Sequence, residues 1–104
     1  MRSGWSIYEY AGGWREDKCT EAIITDKEIM LDFSDPEGDR YVVKAKSQDG
    51  TQYHGEYKYP SQPGQNGHVH FTRYKSKAGD VFSGRWEEEG SSSSRGKWII
   101  SVDN

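Results

Sequence analysis

A chain of 104 residues with a formal net charge of −3 suffices for one domain around one small core. That charge lacks the basic field with which nucleic-acid binders neutralise phosphates. Only 32% of the residues are hydrophobic, and no stretch approaches the ~20 apolar residues of a membrane-spanning helix, so neither a nucleic acid nor a membrane is an expected partner.

In chain order, Gly4 to Tyr10 reads as a first strand with Trp5 and Ile7 on one face. A bend at Ala11-Gly12-Gly13 and then Trp14 follow it, and the polar run Arg15 to Lys18 reads as a loop or an irregular continuation. Cys19 to Thr25 and Glu28 to Phe33 flank a tight turn at Asp26-Lys27, and Ile29, Leu31 and Phe33 share one apolar face. Asp35 to Asp39 contains Pro36 and Gly38 and reads as a turn. Tyr41 to Lys46 is the next strand, and Asp49-Gly50 signals a hairpin into a fifth, Gln52 to Tyr59. Pro60 to Asn66 reads as a loop before a sixth strand carrying Val69 and Phe71.

The last two strands organise the rest. From Asp80 to Glu87, Phe82, Gly84 and Trp86 share one face; after the polar linker Gly90 to Gly96, Trp98, Ile100 and Val102 do the same. This unit occurs twice. Gly50, Tyr53, Gly55 and Tyr57 recur 29 residues later as Gly79, Phe82, Gly84 and Trp86, and Gly67 recurs as Gly96. The repeat spans residues 50–71 and 79–100 within one all-β domain, residues 1–104. Tyr57 opposite Val69, with the Phe71 ring across Gly55, gives a sensible register. The repeat transfers it to Trp86 against Trp98, Gly84 against Ile100, and Glu87 beside Lys97.

A single leucine stands against six isoleucines, five valines and fourteen Phe, Trp and Tyr residues, which favours strands over helices. About eight short strands joined by turns too short for parallel crossovers predict an antiparallel up-and-down meander. Closure into a small barrel would remove its exposed edges.

Phe82-Ser83-Gly84-Arg85-Trp86 followed by Lys97-Trp98-Ile99-Ile100 resembles the closing strands of the avidin and streptavidin type of barrel, within the lipocalin-like group. Gly12-Gly13-Trp14 is similar to that family's opening strand. The resemblance implies a closed barrel in which Phe82 and Trp98 wall a ligand pocket. Where that family places an asparagine and a hydroxyl residue on biotin, this chain carries Glu16 and Asp80, so biotin is not the expected ligand. Gly79 to Trp86 also resembles the core of a MORN repeat, whose aromatic hairpins stack into open docking sheets.

The function expected from these readings is non-catalytic binding of a small ligand at the open end of the barrel, with Trp14, Tyr57, Phe82 and Trp98 as the ligand-binding residues. The alternative is an interaction module whose exposed Tyr and Trp dock a protein partner or form a homo-oligomer. His68 and His70 project to one face beside Glu56, a weak candidate for a metal; exposed polar positions are the plainer reading, and no metal or cofactor is expected. Glu87-Glu88-Glu89 with Asp80 reads as a solvated strand end or as an acidic patch for a basic partner. The lone Cys19 has no assigned histidine partner and reads as a small structural residue. With no internal disulfide to form, and no apolar leader in MRSGWSIYEY, the chain is expected to be cytoplasmic.

Overall fold

The structure, a computed structural model, describes residues 2–90 and 94–104. Its strands are β1 (Arg2–Tyr10), β2 (Gly13–Ile24), β3 (Glu28–Ser34), β4 (Arg40–Ser47), β5 (Gln52–Tyr59), β6 (Gln62–Lys75), β7 (Gly79–Glu88) and β8 (Arg95–Asp103). Each is antiparallel to the next, and β1 closes on β8 from Gly4 opposite Val102 to Tyr8 opposite Trp98. The result is an all-β, eight-stranded meander barrel, with no helix among the described residues.

Alternation explains the core. Ile29, Leu31 and Phe33 on β3, Tyr41, Val43 and Ala45 on β4, and Trp98, Ile100 and Val102 on β8 all point inward and are buried. Eight strands enclose a space just wide enough for side chains to fill, and rings fill most of it. Phe71 meets Phe82 and Trp98 at centroid distances of 6.3 and 5.5 Å, and Phe33 meets Tyr41 at 5.0 Å.

The repeat survives in three dimensions, with a different register. Gly55 pairs with Val69 and Tyr57 with Gly67; 29 residues later Gly84 pairs with Trp98 and Trp86 with Gly96. Both hairpins therefore sit two residues from the expected pairing. Tyr57 and Trp86 instead cover the opposite glycines: a Cβ added at Gly67 would lie 2.5 Å from Tyr57 Cε2, and one at Gly96 3.2 Å from Trp86 Nε1. Outside, Glu87 faces Arg95, and Lys97 faces Arg85 rather than Glu87.

Of two polar segments, one read as a loop or an irregular strand continuation and one as a loop, both contribute strand. Arg15 to Lys18 lies within β2, where Arg15, Asp17 and Cys19 face inward and the residues between them face solvent. A bulge at Thr20-Glu21 then shifts the register against both β1 and β3. Of Pro60 to Asn66, only Pro60 and Ser61 form the turn; β6 begins at Gln62, with a register shift beyond Lys58. In the Gly90 to Gly96 linker, Ser91, Ser92 and Ser93 lie outside the described residues, while Arg95 and Gly96 belong to β8.

Because the chain runs up and down, its turns divide between two ends. Asp26-Lys27, Gln48 to Thr51 and Ser76 to Ala78 gather at one end with both chain ends; Ala11-Gly12, Asp35 to Asp39 and Pro60-Ser61 gather at the other. The first end is sealed by ions. Asp80 accepts from Arg2 and from Arg73 Nε (2.8 Å), Arg73 also reaches Asp26 (3.1 Å) and the Tyr53 hydroxyl (3.1 Å), and that hydroxyl donates to the Thr25 carbonyl (2.7 Å).

Candidate functional site

The opposite end is open. A pocket of about 240 Å³ enters the barrel there, walled by Tyr8 and Tyr10 of β1, Arg15 of β2, Tyr41 of β4, Tyr57 and Tyr59 of β5, Gln65 of β6, Trp86 and Glu88 of β7, and Trp98 of β8, with Asp35 and Glu37 of the β3–β4 turn at its rim. The wall is aromatic because inward-facing positions towards this end of β1, β4, β5, β7 and β8 carry Tyr8, Tyr41, Tyr57, Trp86 and Trp98.

Four rings form a box. Tyr8 lies 6.4 Å from Trp86 and 6.0 Å from Trp98, and Tyr57 lies 6.4 Å from each of the same two indoles. Three of these contacts are edge-to-face, with interplanar angles of 77° to 89°, an arrangement in which ring edges meet ring faces. Tyr41 extends the wall, stacked on Tyr59 at 5.0 Å. Trp86 is held by its indole N–H, which donates to the Glu9 carbonyl at 3.1 Å.

Carboxylates surround this apolar box. Arg15 donates to both oxygens of Glu37 at 3.2 and 3.3 Å, and its guanidinium lies 5.3 Å over the Tyr10 ring. The Tyr59 hydroxyl donates to Asp35 at 3.5 Å. Beneath the rings, inward-facing Asp17 is 1% exposed; its Oδ2 accepts from the Tyr41 hydroxyl, while Oδ1 has no partner among the described residues. The indole N–H of Trp98 is also buried without a partner among the described residues. Unsatisfied buried polar atoms are costly, and both belong to side chains at this end of the barrel.

Burial raises the Asp17 carboxyl above the usual carboxylate range, and the hydrogen bond from Tyr41 offsets only part of that. Burial, reinforced by the nearby negative charges, raises the Tyr8, Tyr41 and Tyr59 phenols far above neutrality. Burial and then Glu88 push Tyr57 up to about 12. At pH 7 these hydroxyls are neutral and available as donors.

Of the four residues expected to bind ligand, the structure brings two together at the pocket, Tyr57 and Trp98. Phe82 is wholly buried deeper in the barrel, 5.7 Å from Tyr53 and 6.3 Å from Phe71, and does not line the pocket. Trp14 is 54% exposed on the outer face, paired with Glu9, because inward positions along this part of β2 carry Arg15, Asp17 and Cys19. Glu16 also faces outward, and Asp80 seals the far end. The acidic run divides: Glu88 reaches the pocket, Glu89 meets His68 at 2.6 Å, and Asp80 is remote from both. The polar segment β2 supplied Arg15 and Asp17, which the pattern of apolar residues alone did not mark; inward alternation continued through that run is the signal that finds them.

His54 stacks on His70 at 4.3 Å on the outer face, and Glu56 is the cross-strand neighbour of His68. Burial, together with His54 and Arg85, lowers the His70 pKa. No three His, Cys, Asp or Glu side chains converge to hold a metal among the described residues. Cys19 is buried, and burial pushes its thiol up to about 11, which disfavours the thiolate a nucleophile needs.

Compared with known protein families, with curated proteins and with solved structures, the chain matches none.

Proposed function

We propose that this chain is a non-catalytic binding protein that takes a small ligand at the open end of its barrel, as its resemblance to the avidin type implies. The observation that carries this reading is the asymmetry of the interior. One end is sealed by Asp80, Arg73 and Tyr53, while the other holds a ring-walled space of about 240 Å³. Ligand sites combine apolar burial with a few placed polar groups, and Tyr57, Trp98 and Trp86 beside Tyr59, Arg15 and Glu88 have that make-up. The volume lies below the range of drug-sized pockets, about 300 Å³ upward, so the ligand is compact.

Tryptophan fluorescence tests it. Trp86 and Trp98 line the pocket whereas Trp5 and Trp14 are outside, so the double variant Trp5→Phe/Trp14→Phe reports on the interior. A small-molecule library should contain compounds that shift or quench this emission saturably; a library without effect would overturn the proposal.

A second reading has its own observation. Trp5, Ile7 and Ile99 are exposed neighbours on the paired strands β1 and β8, with Ile7 directly opposite Ile99. An apolar outer patch suits an interaction module that docks a protein or a second copy. Light scattering across a concentration series, repeated with Trp5→Ser, tests self-association through it.

A further inference from the structure

The chemistry of the open end favours one charge type over the others. Tyr8, Tyr57, Trp86 and Trp98 pack against one another at centroid separations of 6.0 to 6.4 Å, and all four line the open space with their remaining surfaces. A cation within about 6 Å of such faces is attracted by the ring quadrupoles, most strongly where water is excluded. The molecule already shows this contact once, in the Arg15 guanidinium 5.3 Å above Tyr10.

The ionic surroundings have the same sign. Among the described residues, Asp35, Glu37 and Glu88 line the pocket against a single cation, Arg15, and that cation is engaged by Glu37. Directly below, Asp17 holds a carboxylate oxygen with no partner among the described residues at 1% residue exposure. An anionic ligand would add to this excess of negative charge, and a neutral one would leave it uncompensated. A cation compensates it.

We propose that the open end of the barrel is an aromatic cage for a compact organic ammonium ion, held over the Tyr8, Tyr57, Trp86 and Trp98 rings and balanced by Asp17, Asp35 and Glu88. This inference rests on the reading of the open end as a ligand pocket, and adds the charge and size of what enters. The four rings supply desolvated cation–π contacts, and the carboxylates supply the long-range field. Arg15, which shares the pocket lining, pairs with Glu37.

Three probes of one shape separate the possibilities: choline, its neutral isostere 3,3-dimethylbutan-1-ol, and the anion 3,3-dimethylbutanoate. They are titrated against the Trp5→Phe/Trp14→Phe protein, followed by fluorescence and by the indole N–H resonances of Trp86 and Trp98. Choline should bind saturably and about tenfold or more tighter than the neutral isostere, with the anion weakest. Tyr57→Leu, which keeps apolar bulk but removes the quadrupole, should lose most of that preference, with circular dichroism confirming the barrel. Glu88→Gln, at a half-buried position of β7 where the backbone pairing with Gly67 is kept, tests the field if Tyr57→Leu unfolds, and should weaken choline alone. Equal binding of choline and its isostere, or preference for the anion, would overturn the ammonium assignment while leaving the ligand pocket standing. Binding of none of the three overturns the assignment as well; if the broader library also leaves the indoles unmoved, the pocket reading falls with it.

Discussion

The two ends of this barrel each place an aspartate on the inner wall, and the protein treats them in opposite ways. Burial alone would raise the Asp80 carboxyl, but the hydrogen bonds and charges of Arg73 and Arg2 outweigh it and hold the group below the usual range. Asp17 is more deeply buried, receives the Tyr41 hydroxyl, and is held above that range. One end thus satisfies its ions internally, and the other leaves a carboxylate oxygen and an indole N–H unsatisfied. Strain also sits at the open end: Ala11, with φ 51°, occupies the left-handed region beside Gly12 at φ 82° in the β1–β2 turn. Polar groups kept at a cost to stability mark candidate functional sites.

The comparison breaks most visibly at Asp80. Asp80→Ala leaves Arg73, whose side chain is 9% exposed, without its buried partner, and should cost about 3 to 5 kcal/mol by urea denaturation. The pH dependence has a definite sign. The depressed Asp80 pKa contributes stability that is complete above its unfolded value of about 3.9, and this is lost as pH falls through the folded value.

Asp17 should behave in reverse. Its folded pKa is raised, so its contribution is most favourable below about pH 3.9 and declines as pH rises from there through the folded value. Asp17→Asn keeps an acceptor for Tyr41 and should stabilise the protein by about 1 kcal/mol at neutral pH, with the gain vanishing in acid. Urea midpoints measured from about pH 3 to 8 check both aspartates, and a destabilised Asn variant at neutral pH would contradict the contrast drawn between them.

Smaller effects sharpen the picture. Ala11→Gly relieves the left-handed alanine and should raise the thermal midpoint by an amount corresponding to about 1 kcal/mol. Glu37→Gln removes an exposed ion pair with Arg15 and should change stability by less than about 0.5 kcal/mol. An effect much larger than that would mean Arg15 is structural rather than merely held away from the ring box.

Much of the fold was legible in the residues because strand faces follow from period two. Ile29, Leu31 and Phe33 declared a buried face, and the 29-residue repeat declared two equivalent hairpins. The register was not legible, for a specific reason. A slip of two residues returns every side chain to its original face, so pairing Tyr57 with Val69 and pairing it with Gly67 satisfy the same alternation; only the fit of Tyr57 and Trp86 over glycine distinguishes them. Trp14 misled because a tryptophan beside two glycines looked like wall, whereas the inward positions of that strand are polar. Phe82 has the right face at the wrong depth, and depth along the barrel axis leaves no periodic mark.

The order of apolar and aromatic residues determined an antiparallel meander with large rings inside, since burying alternate faces of so polar a chain admits few other arrangements. Which end stayed open was decided only by the closed barrel. Closure of β1 on β8 and the up-and-down path carried Arg73, Asp80 and Asp26 to one end and Tyr8, Tyr41 and Trp98, with Asp17 beneath them, to the other. Residues far apart along the chain meet there through the stagger of hydrogen-bonded strands, a property of the whole sheet that no local stretch encodes.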